Sequence, residues 1–470
     1  MPPFLKSFSS HDNYSDTNNP DSVVVAVDPY SSGCAIAKEI LNRGRCVVAL
    51  WTRGIPQELK EHVPDNCRGI SYTAKIDEAP TLEKTASLLI ETVGSKDDIQ
   101  CVFAAGEFGV DLADSLTEYF GLPGNVKLAR SRRDKQYQQQ RIAAKGLRSI
   151  REAGGSKFSD VEPFLRSEKY PVVVKPLESA GSVGVKLCQS FKEARQHFDT
   201  LMKSEMVSGA KCASVLCQEL LQGKEYVVDH VSRDGVHKTT MLWVYDKRPA
   251  NGSAFVYYGM IPVDSDSPEA KILIPYVRQV LDAMNYRHGA SHGEVIITDD
   301  GPCLVEMNFR SHGGDASWHP LCKALNDGFT QIEATADAYL DGKAFSNLPD
   351  KPPSPFHAAG REVTLVSYYK GKVQATPGYD EIRQLESFLS MEAPIKPGDK
   401  VVQSVDLMTA VGSVVLMHPD PQVVKKDLET IRIMELQGRM FTFQERVSMG
   451  KIHDVVAKHL SNRAICVSGN

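Results

Sequence analysis

The chain's most chemical stretch is His292-Gly293-Glu294-Val295-Ile296-Ile297-Thr298-Asp299-Asp300-Gly301-Pro302-Cys303-Leu304-Val305-Glu306-Met307-Asn308-Phe309-Arg310. Two short apolar runs flank an Asp-Asp-Gly turn, the composition of a β-hairpin. With Asp300 near the apex, positions summing to about 600 face each other, so Glu294 opposes Glu306. The period of two puts His292 and Glu294 on one face, with Glu306, Asn308 and Arg310 facing them. Two carboxylates pressed together repel unless a cation lies between them. Hard oxygen ligands at this spacing suit magnesium, which takes one or two carboxylates and completes its shell with phosphate and water. The plain alternative is a solvated hairpin face, the usual fate of charged strand residues.

Two further segments carry phosphate chemistry. Pro171-Val172-Val173-Val174-Lys175-Pro176 is a buried strand ending in a lysine, and Leu177-Glu178-Ser179-Ala180-Gly181-Ser182-Val183-Gly184-Val185 follows as a small-residue loop. Glycine and alanine let main-chain N–H groups approach phosphate oxygens, and Ser182 adds a hydroxyl beside Gly181. Lys175 at the loop root supplies a charge; the plain alternative is a hairpin with a flexible turn and an exposed lysine, against which stands the cost of burying that ammonium without a partner. Lys135, forty residues earlier, is a candidate second phosphate lysine, although in its charged segment it also reads as solvated. In Val215 to Val228 a strand runs into Gln218-Glu219-Leu220-Leu221-Gln222-Gly223-Lys224-Glu225. That linker can offer main-chain groups to an adenine edge, and Glu225 can accept from ribose hydroxyls, although by itself the segment reads as another loop.

The elements that must position these residues begin with Ser22 to Val27, an apolar strand followed by a turn at Asp28 to Ser32, a helix to Gly44 and a strand from Cys46 to Leu50. This is a βαβ unit in a parallel sheet. Pro29-Tyr30-Ser31-Ser32-Gly33 lacks the glycine pattern that brings backbone against a pyrophosphate, which argues against a dinucleotide. Gln100 to Gly106 is another strand, and Glu107 lies at its carboxyl end, where open α/β sheets bind ligands. Capping of the next helix is the equal alternative. From Ser131 a polar, basic helix opens a second domain. Strands then dominate: Val172 to Lys175, Val183 to Leu187, Ser214 to Gln218, Tyr226 to Ser232, Thr239 to Tyr245 and Ala254 to Gly259. Asn347 to Pro355 reads as a linker. Beyond it come strands at Arg361 to Tyr369, Gly371 to Val373 and Gly412 to His418, with helices from about Asp380 and from Pro421.

At 470 residues, 24% charged and with a formal net charge of −5, the chain has no basic footprint for nucleic acid. No apolar run approaches the roughly 18 residues of a membrane span. The first 20 residues are polar and read as a disordered tail, not a secretory signal. The ten cysteines include no C-x-x-C pair, so they read as core residues of a reducing compartment, and the expected location is cytoplasmic.

Taken in order, the lysine, the lysine with its small-residue loop, the linker with Gly-x-Glu, then Glu294 and Glu306-Met307-Asn308-Phe309-Arg310 resemble the ATP-grasp superfamily over roughly residues 131 to 345. Within it the chain is most similar to the carboxylate–amine ligases of the L-amino-acid ligase and carnosine-synthase-like group. Gly289-Ala290-Ser291-His292-Gly293-Glu294, Trp243 to Arg248 with Asn251-Gly252, and Arg310-Ser311-His312-Gly313-Gly314 carry that likeness. Asp28 to Gly33 and Pro397-Gly398-Asp399 extend it outside the core. Met307, where the group often has a small aliphatic residue, is a mild departure.

The resemblance implies an α/β and α+β multidomain fold. It comprises a parallel α/β domain over 21–130, an ATP-grasp core of two α+β subdomains over 131–350 with a small lid at about 140–217, and a C-terminal α+β domain over 351–470. It implies ATP and magnesium as cofactors, with manganese able to substitute. Lys135, Lys175, Gly181 and Ser182 would bind phosphates, Glu219 and Leu221 adenine, and Glu225 ribose. Glu294, Glu306 and Asn308 would hold the metal. Lys175 and Arg310 would be catalytic, Arg310 by holding the acid's carboxylate or the tetrahedral intermediate. Glu107, His292, Gly313 and Gly314 are substrate candidates; His292 would touch substrate or a metal-bound water, or else simply pack. The implied reaction joins a small carboxylate to an amine through an acyl phosphate, releasing ADP and phosphate. A bicarbonate-activating carboxylase and a non-catalytic ATP-binding regulator are the alternatives on the same nucleotide site. No nucleic-acid or membrane partner is expected, and a homodimer is the preferred assembly.

Overall fold

The computed structural model describes residues 22–125, 133–177, 183–204 and 211–444. The N-terminal unit is a four-stranded parallel sheet of β1 (Val23–Val27), β2 (Cys46–Trp51), β3 (Ala74–Asp77) and β4 (Ile99–Ala104), in the order β3-β2-β1-β4. Helices cover both faces, so β1 is buried along its whole length, as its continuous valine run requires. The chain turns to one side after β1 and to the other for β4, and the loops after these two strands meet at that switch point. There Gly106 lies so close to the first loop that a Cβ would stand 2.2 Å from the Tyr30 ring.

A small antiparallel sheet follows: β5 (Glu152–Gly155), β6 (Val172–Pro176), β7 (Lys186–Cys188) and β8 (Val215–Glu219), in the order β5-β8-β6-β7. The helices Phe158–Ser167 and Phe191–Leu201 bury Val172 and Val174 on one face with Val161, Leu165 and Phe198. Alternation then turns Val173 and Lys175 to the opposite face. β7 starts three residues later than the strand expected at Val183, because Val183 and Gly184 form a turn in which Gly184 has φ +73°.

The third body is an eight-stranded sheet. Its strands are β9 (Lys224–Arg233), β10 (Val236–Ala250), β11 (Ser253–Pro262), β12 (Gly289–Thr298), β13 (Gly301–Asn308) and β14 (Ala359–Thr364), joined past β15 (Gly371–Ala375) by β16 (Phe388–Glu392) and, past β17 (Lys400–Val401), by β18 (Ser413–His418). The order is β13-β12-β9-β10-β11-β14-β18-β16, while β17-β15-β19, with β19 at Thr442–Phe443, forms a separate three-stranded sheet. One face of the large sheet packs Val228, Leu242, Val295 and Leu304 against helix Pro268–Ala283. On the other, Val227, Met241 and Trp243 meet Trp318, Leu321 and the N-terminal Ile36 and Ile40.

Three expectations are corrected. The Asn347 to Pro355 segment is bound down: Lys238 Nζ reaches Leu348 O at 2.8 Å and Asp350 Oδ1 at 2.9 Å, and Ser265 Oγ donates to Pro352 O at 2.7 Å. Beyond it the main sheet continues through β14, β18 and β16, so a boundary at 350 falls between strands of one sheet. The strand expected to reach Tyr369 stops at Thr364, after which Ser367 caps a local turn through Tyr369. The helix expected from Asp380 opens at Pro377, a residue suited to a first turn. Among the described residues no helix is long and apolar enough to cross a membrane.

Candidate active site

The hairpin of β12 and β13 pairs Glu294 with Glu306 and His292 with Asn308. The expected register holds there, but a bulge after Glu294 makes Val295 face Leu304, the kind of irregularity that re-aims side chains. Helix Lys135–Ala143 is tied to β13 by its amide side chains: Gln138 exchanges bonds with Met307 O and N at 2.8 and 2.9 Å, and Gln139 Nε2 reaches Leu304 O at 2.9 Å. Positions three and four apart share a helix face, so Lys135 is delivered to the same strand. Its Nζ lies 2.9 Å from Glu306 Oε2. The solvated reading of Lys135 therefore fails, since the residue is 9% exposed. Burial works against its ammonium, but Glu306 more than offsets this and raises it above the ordinary lysine value.

Around this pair the charges interlock. Asn308 Nδ2 donates to Glu306 Oε1 at 3.2 Å. Burial alone would push the Glu294 carboxyl up, yet His292, Lys247 and Arg310 hold it well below the usual range. Two carboxylates and an amide oxygen on one hairpin face are the donor set a hard cation takes, and these residues fit it. They are the three expected as ligands.

A cleft of about 140 Å³ separates the small sheet from the large one, with Lys135, Val173 and Lys175 opposite Glu225, Lys247 and Glu294. Lys175 is 6% exposed, and burial and the like charge of Lys135 depress its ammonium. Glu225, also in this wall, is paired with Lys247 at 2.7 Å; Lys247 in turn lies 4.6 and 4.4 Å from the ring centres of Tyr245 and Tyr257. Glu219 and Leu221 edge the cleft. The main-chain N–H of Glu219 is spent on Arg151 O at 3.0 Å and its carboxylate on Arg151 at 2.7 Å, which leaves its carbonyl and the Leu221 backbone for any purine. Gly181 and Ser182 lie outside the described residues.

A second cleft of about 250 Å³ shares Glu294, Glu306 and Tyr257 with the first. It runs from the switch-point loops to β14. Arg310 Nε stands 3.2 Å from Glu107 Oε2, and Arg133 Nε lies 3.7 Å from Glu107 Oε1. Glu107 opens a short 3-10 turn capped by Gly106, and the helix Val110–Phe120 that follows has Gly109 as its N-cap with no side-chain cap bond, so the capping alternative falls. Gly313 and Gly314 line this cleft, and a Cβ on Gly313 would meet nothing within 4 Å. Their loop is pinned by the first domain: Ser32 Oγ donates to Gly313 O at 3.1 Å and accepts from Ala316 N at 2.8 Å. The turn at Asp28 to Ser32 is thus a clamp on the Arg310 loop.

His292 lines this cleft, but it does not stand unpaired. Its Nδ1 is 2.9 Å from Asp229 Oδ1, and its Nε2 lies 3.4 Å from Glu294 Oε1 and 3.3 Å from the Tyr245 hydroxyl. Burial opposes its charge, but Asp229 and Glu294 prevail and hold it up to about 9. Asp229 is a hub that sequence reading missed: Oδ2 also accepts from Trp243 Nε1 and His312 Nδ1, each at 2.9 Å. Lys247, Tyr245 and Glu362 were missed as well. A period-two reading of Trp243, Tyr245 and Lys247 would have placed them on one strand face, and Asp229 interrupts an apolar run. Nothing local marks Glu362, which lines the far end of the cleft, 6% exposed and with no side-chain hydrogen bond among the described residues.

Comparison with known proteins agrees with this geometry. The ATP-grasp domain family model matches residues 168–319. Dapdiamide A synthase of Enterobacter agglomerans is 29% identical over 341 residues, which cover 72% of this chain and 79% of the relative. Alanine–anticapsin ligase of Bacillus subtilis is 25% identical over 53% of this chain and 58% of its own length. Among solved structures, the L-amino acid ligase of Bacillus licheniformis superposes with a TM-score of 0.69 at 15% identity, covering 90% of this chain and 99% of that one. With its cleft under a small antiparallel sheet, its carboxylate hairpin and these relatives, the chain is a ligase that carries an ATP-grasp domain over residues 168–319.

Proposed function

We propose that this ligase activates a small carboxylic acid with ATP as an acyl phosphate and transfers the acyl group to an amine, giving an amide, ADP and phosphate. The observation that carries the reading is the shared wall of Glu294 and Glu306, which joins a lysine-lined cleft to one that holds Arg310. A nucleotide in the first cleft would direct its terminal phosphate toward an acid in the second. Both reactants are anionic, so the site must neutralise and align them before anything else.

Lys135 and Lys175 supply cationic charge to the phosphates, Glu225 the ribose contact, and the Glu219–Leu221 backbone the adenine edge. Magnesium, or manganese in its place, would be held by Glu294, Glu306 and Asn308 and would supply charge neutralisation at the transferred phosphoryl group. Arg310, fixed by Glu107, holds the acid's carboxylate and later the oxygen charge of the tetrahedral adduct. Acyl phosphates hydrolyse, so water must be kept out. The small sheet serves as a lid that closes on the nucleotide. The N-terminal parallel sheet supplies the clamp on the Arg310 loop, the small sheet and the β12–β13 hairpin the nucleotide site, and β14 the far wall of the acceptor cleft. The dapdiamide and anticapsin ligases among the relatives support amino-acid-like substrates.

The test is release of ADP and phosphate by the purified protein with magnesium and ATP across pairs of amino acids and small acids. Release that requires both an acid and an amine is expected. Release with bicarbonate alone, or AMP in place of ADP, would overturn the proposal.

A further inference from the structure

The reaction needs a group to accept the proton that the attacking amine must lose, and none of the residues assigned above is free to do so. The lysines and Arg310 carry protons already, Glu107 is engaged by Arg310 and Arg133, Glu294 and Glu306 face the cation site, and His292 is hydrogen-bonded at both ring nitrogens. His312 is not. Its Nδ1 is held 2.9 Å from Asp229 Oδ2. Asp229 also accepts from His292 and Trp243, and His292 and His312 hold its carboxyl far below the usual range against the cost of burial. An ionised Asp229 only accepts, so His312 carries its hydrogen on Nδ1 and its lone pair on Nε2. Among the described residues Nε2 has no hydrogen-bond partner, and it is not one of the fully enclosed side-chain atoms left unpartnered. It therefore opens onto the 250 Å³ cleft that His312 lines beside Arg310 and Gly313.

The ring is fixed in that attitude. It packs edge-on to Trp243, with centroids 6.1 Å apart, and tilted against Trp318 at 5.5 Å, while the main-chain N–H of His312 donates to Gln331 Oε1 at 2.8 Å. The charged groups facing it are Asp229, His292 and Arg310. Burial and the cations His292 and Arg310 outweigh Asp229 and keep the imidazole neutral below its usual value.

We propose that His312, oriented by Asp229, is the catalytic base of the amide-forming step, an inference that rests on the acyl-phosphate reading. As the amine lone pair forms the C–N bond, the proton on that nitrogen moves to His312 Nε2. The carbonyl C–O bond to the phosphoryl group then breaks, with its electron pair leaving on phosphate. Asp229 stabilises the imidazolium formed, and the cleft returns its proton to solvent.

The test is His312→Asn, whose amide still donates to Asp229, assayed in two ways. Hydroxylamine, a strong nucleophile and weak base that needs little help from the protein, traps the acyl phosphate as hydroxamate. Turnover with the amino-acid amine reads the base. The variant should form hydroxamate at the wild-type rate while kcat for the amide falls by roughly 10²–10⁴, the range for general acid–base catalysis, with KM for ATP unchanged. Wild-type hydroxamate formation together with undiminished amide synthesis by the variant would overturn the role of His312 alone, and so would equal loss of both products. Wild-type protein that gives no hydroxamate from any acid would overturn the acyl-phosphate reading and this proposal with it.

Discussion

The two clefts on either side of Glu294 and Glu306 are built differently. The proposed nucleotide cleft is assembled from regular elements: Lys175 lies next to the end of β6, Glu225 next to the start of β9, Lys247 in β10, and Lys135 opens a helix pinned to β13 by Gln138 and Gln139. Its charges largely answer one another, as in Lys135 with Glu306 and Lys247 with Glu225. The acceptor cleft draws on distant parts of the chain, from Tyr30 through Glu107 and Arg310 to Glu362, and several of its groups stand on loops. A charge-matched pocket built on regular elements suits a substrate that never changes. A cleft of loops and glycines lets the same chemistry serve other acids and amines.

The sharpest way to break this contrast is at the shared wall. Glu306→Gln would remove the ion pair between Glu306 and Lys135 and weaken the proposed cation site, so turnover should fall by at least about 10³-fold, with a native circular dichroism spectrum. Wild-type activity in that variant would remove Glu306 from the metal site. Next in size is Arg310→Lys, which keeps the charge but loses the fork that grips Glu107 and a carboxylate together. A loss of about 10²-fold in kcat/KM for the acid is expected, with KM for ATP little changed; an equal rise in the ATP constant would place Arg310 in the nucleotide cleft instead. Gly313→Ala is gentler. Its Cβ meets no protein atom within 4 Å, so stability should hold while KM shifts for acid or amine only.

The smallest effect concerns pH and stability. Burial pushes the Glu362 carboxyl up to about 7, although Arg432 and Arg361 oppose it. A carboxyl whose folded value lies above its unfolded one is favoured when protonated, so its ionisation costs stability as pH rises from about 4.5 to about 7. Glu362→Gln should abolish that component, at most about 3 kcal/mol, flattening urea-unfolding free energies over this interval. An unchanged pH slope would mean that a partner already satisfies Glu362.

The same contrast explains what could be read from the chain. Lys175 was legible because a lysine closing a valine run must have a partner, and the Glu294–Glu306 pairing because a hairpin of period two allows few registers. The parallel N-terminal sheet followed from valine runs alternating with helical segments. Lys135 is ambiguous in the sequence because nothing in a polar segment says which face is buried; the Gln138 and Gln139 bonds to β13 decide it. His312 and Glu362 were invisible as site residues because their surroundings come from elements far apart in sequence. Asp229 meets His312 across 83 positions, and the continuation of the main sheet into β14 is what brings Glu362 to the cleft. The bulge after Glu294 was likewise hidden, as it depends on how β12 fits both of its neighbours.

The most direct test of the central claim follows the oxygen. With an acid substrate carrying oxygen-18 in its carboxylate, the phosphate released during amide synthesis is analysed by mass spectrometry. Activation as an acyl phosphate predicts that each phosphate carries one labelled oxygen from the acid and that none appears in ADP. Unlabelled phosphate, or label in AMP, would contradict the account.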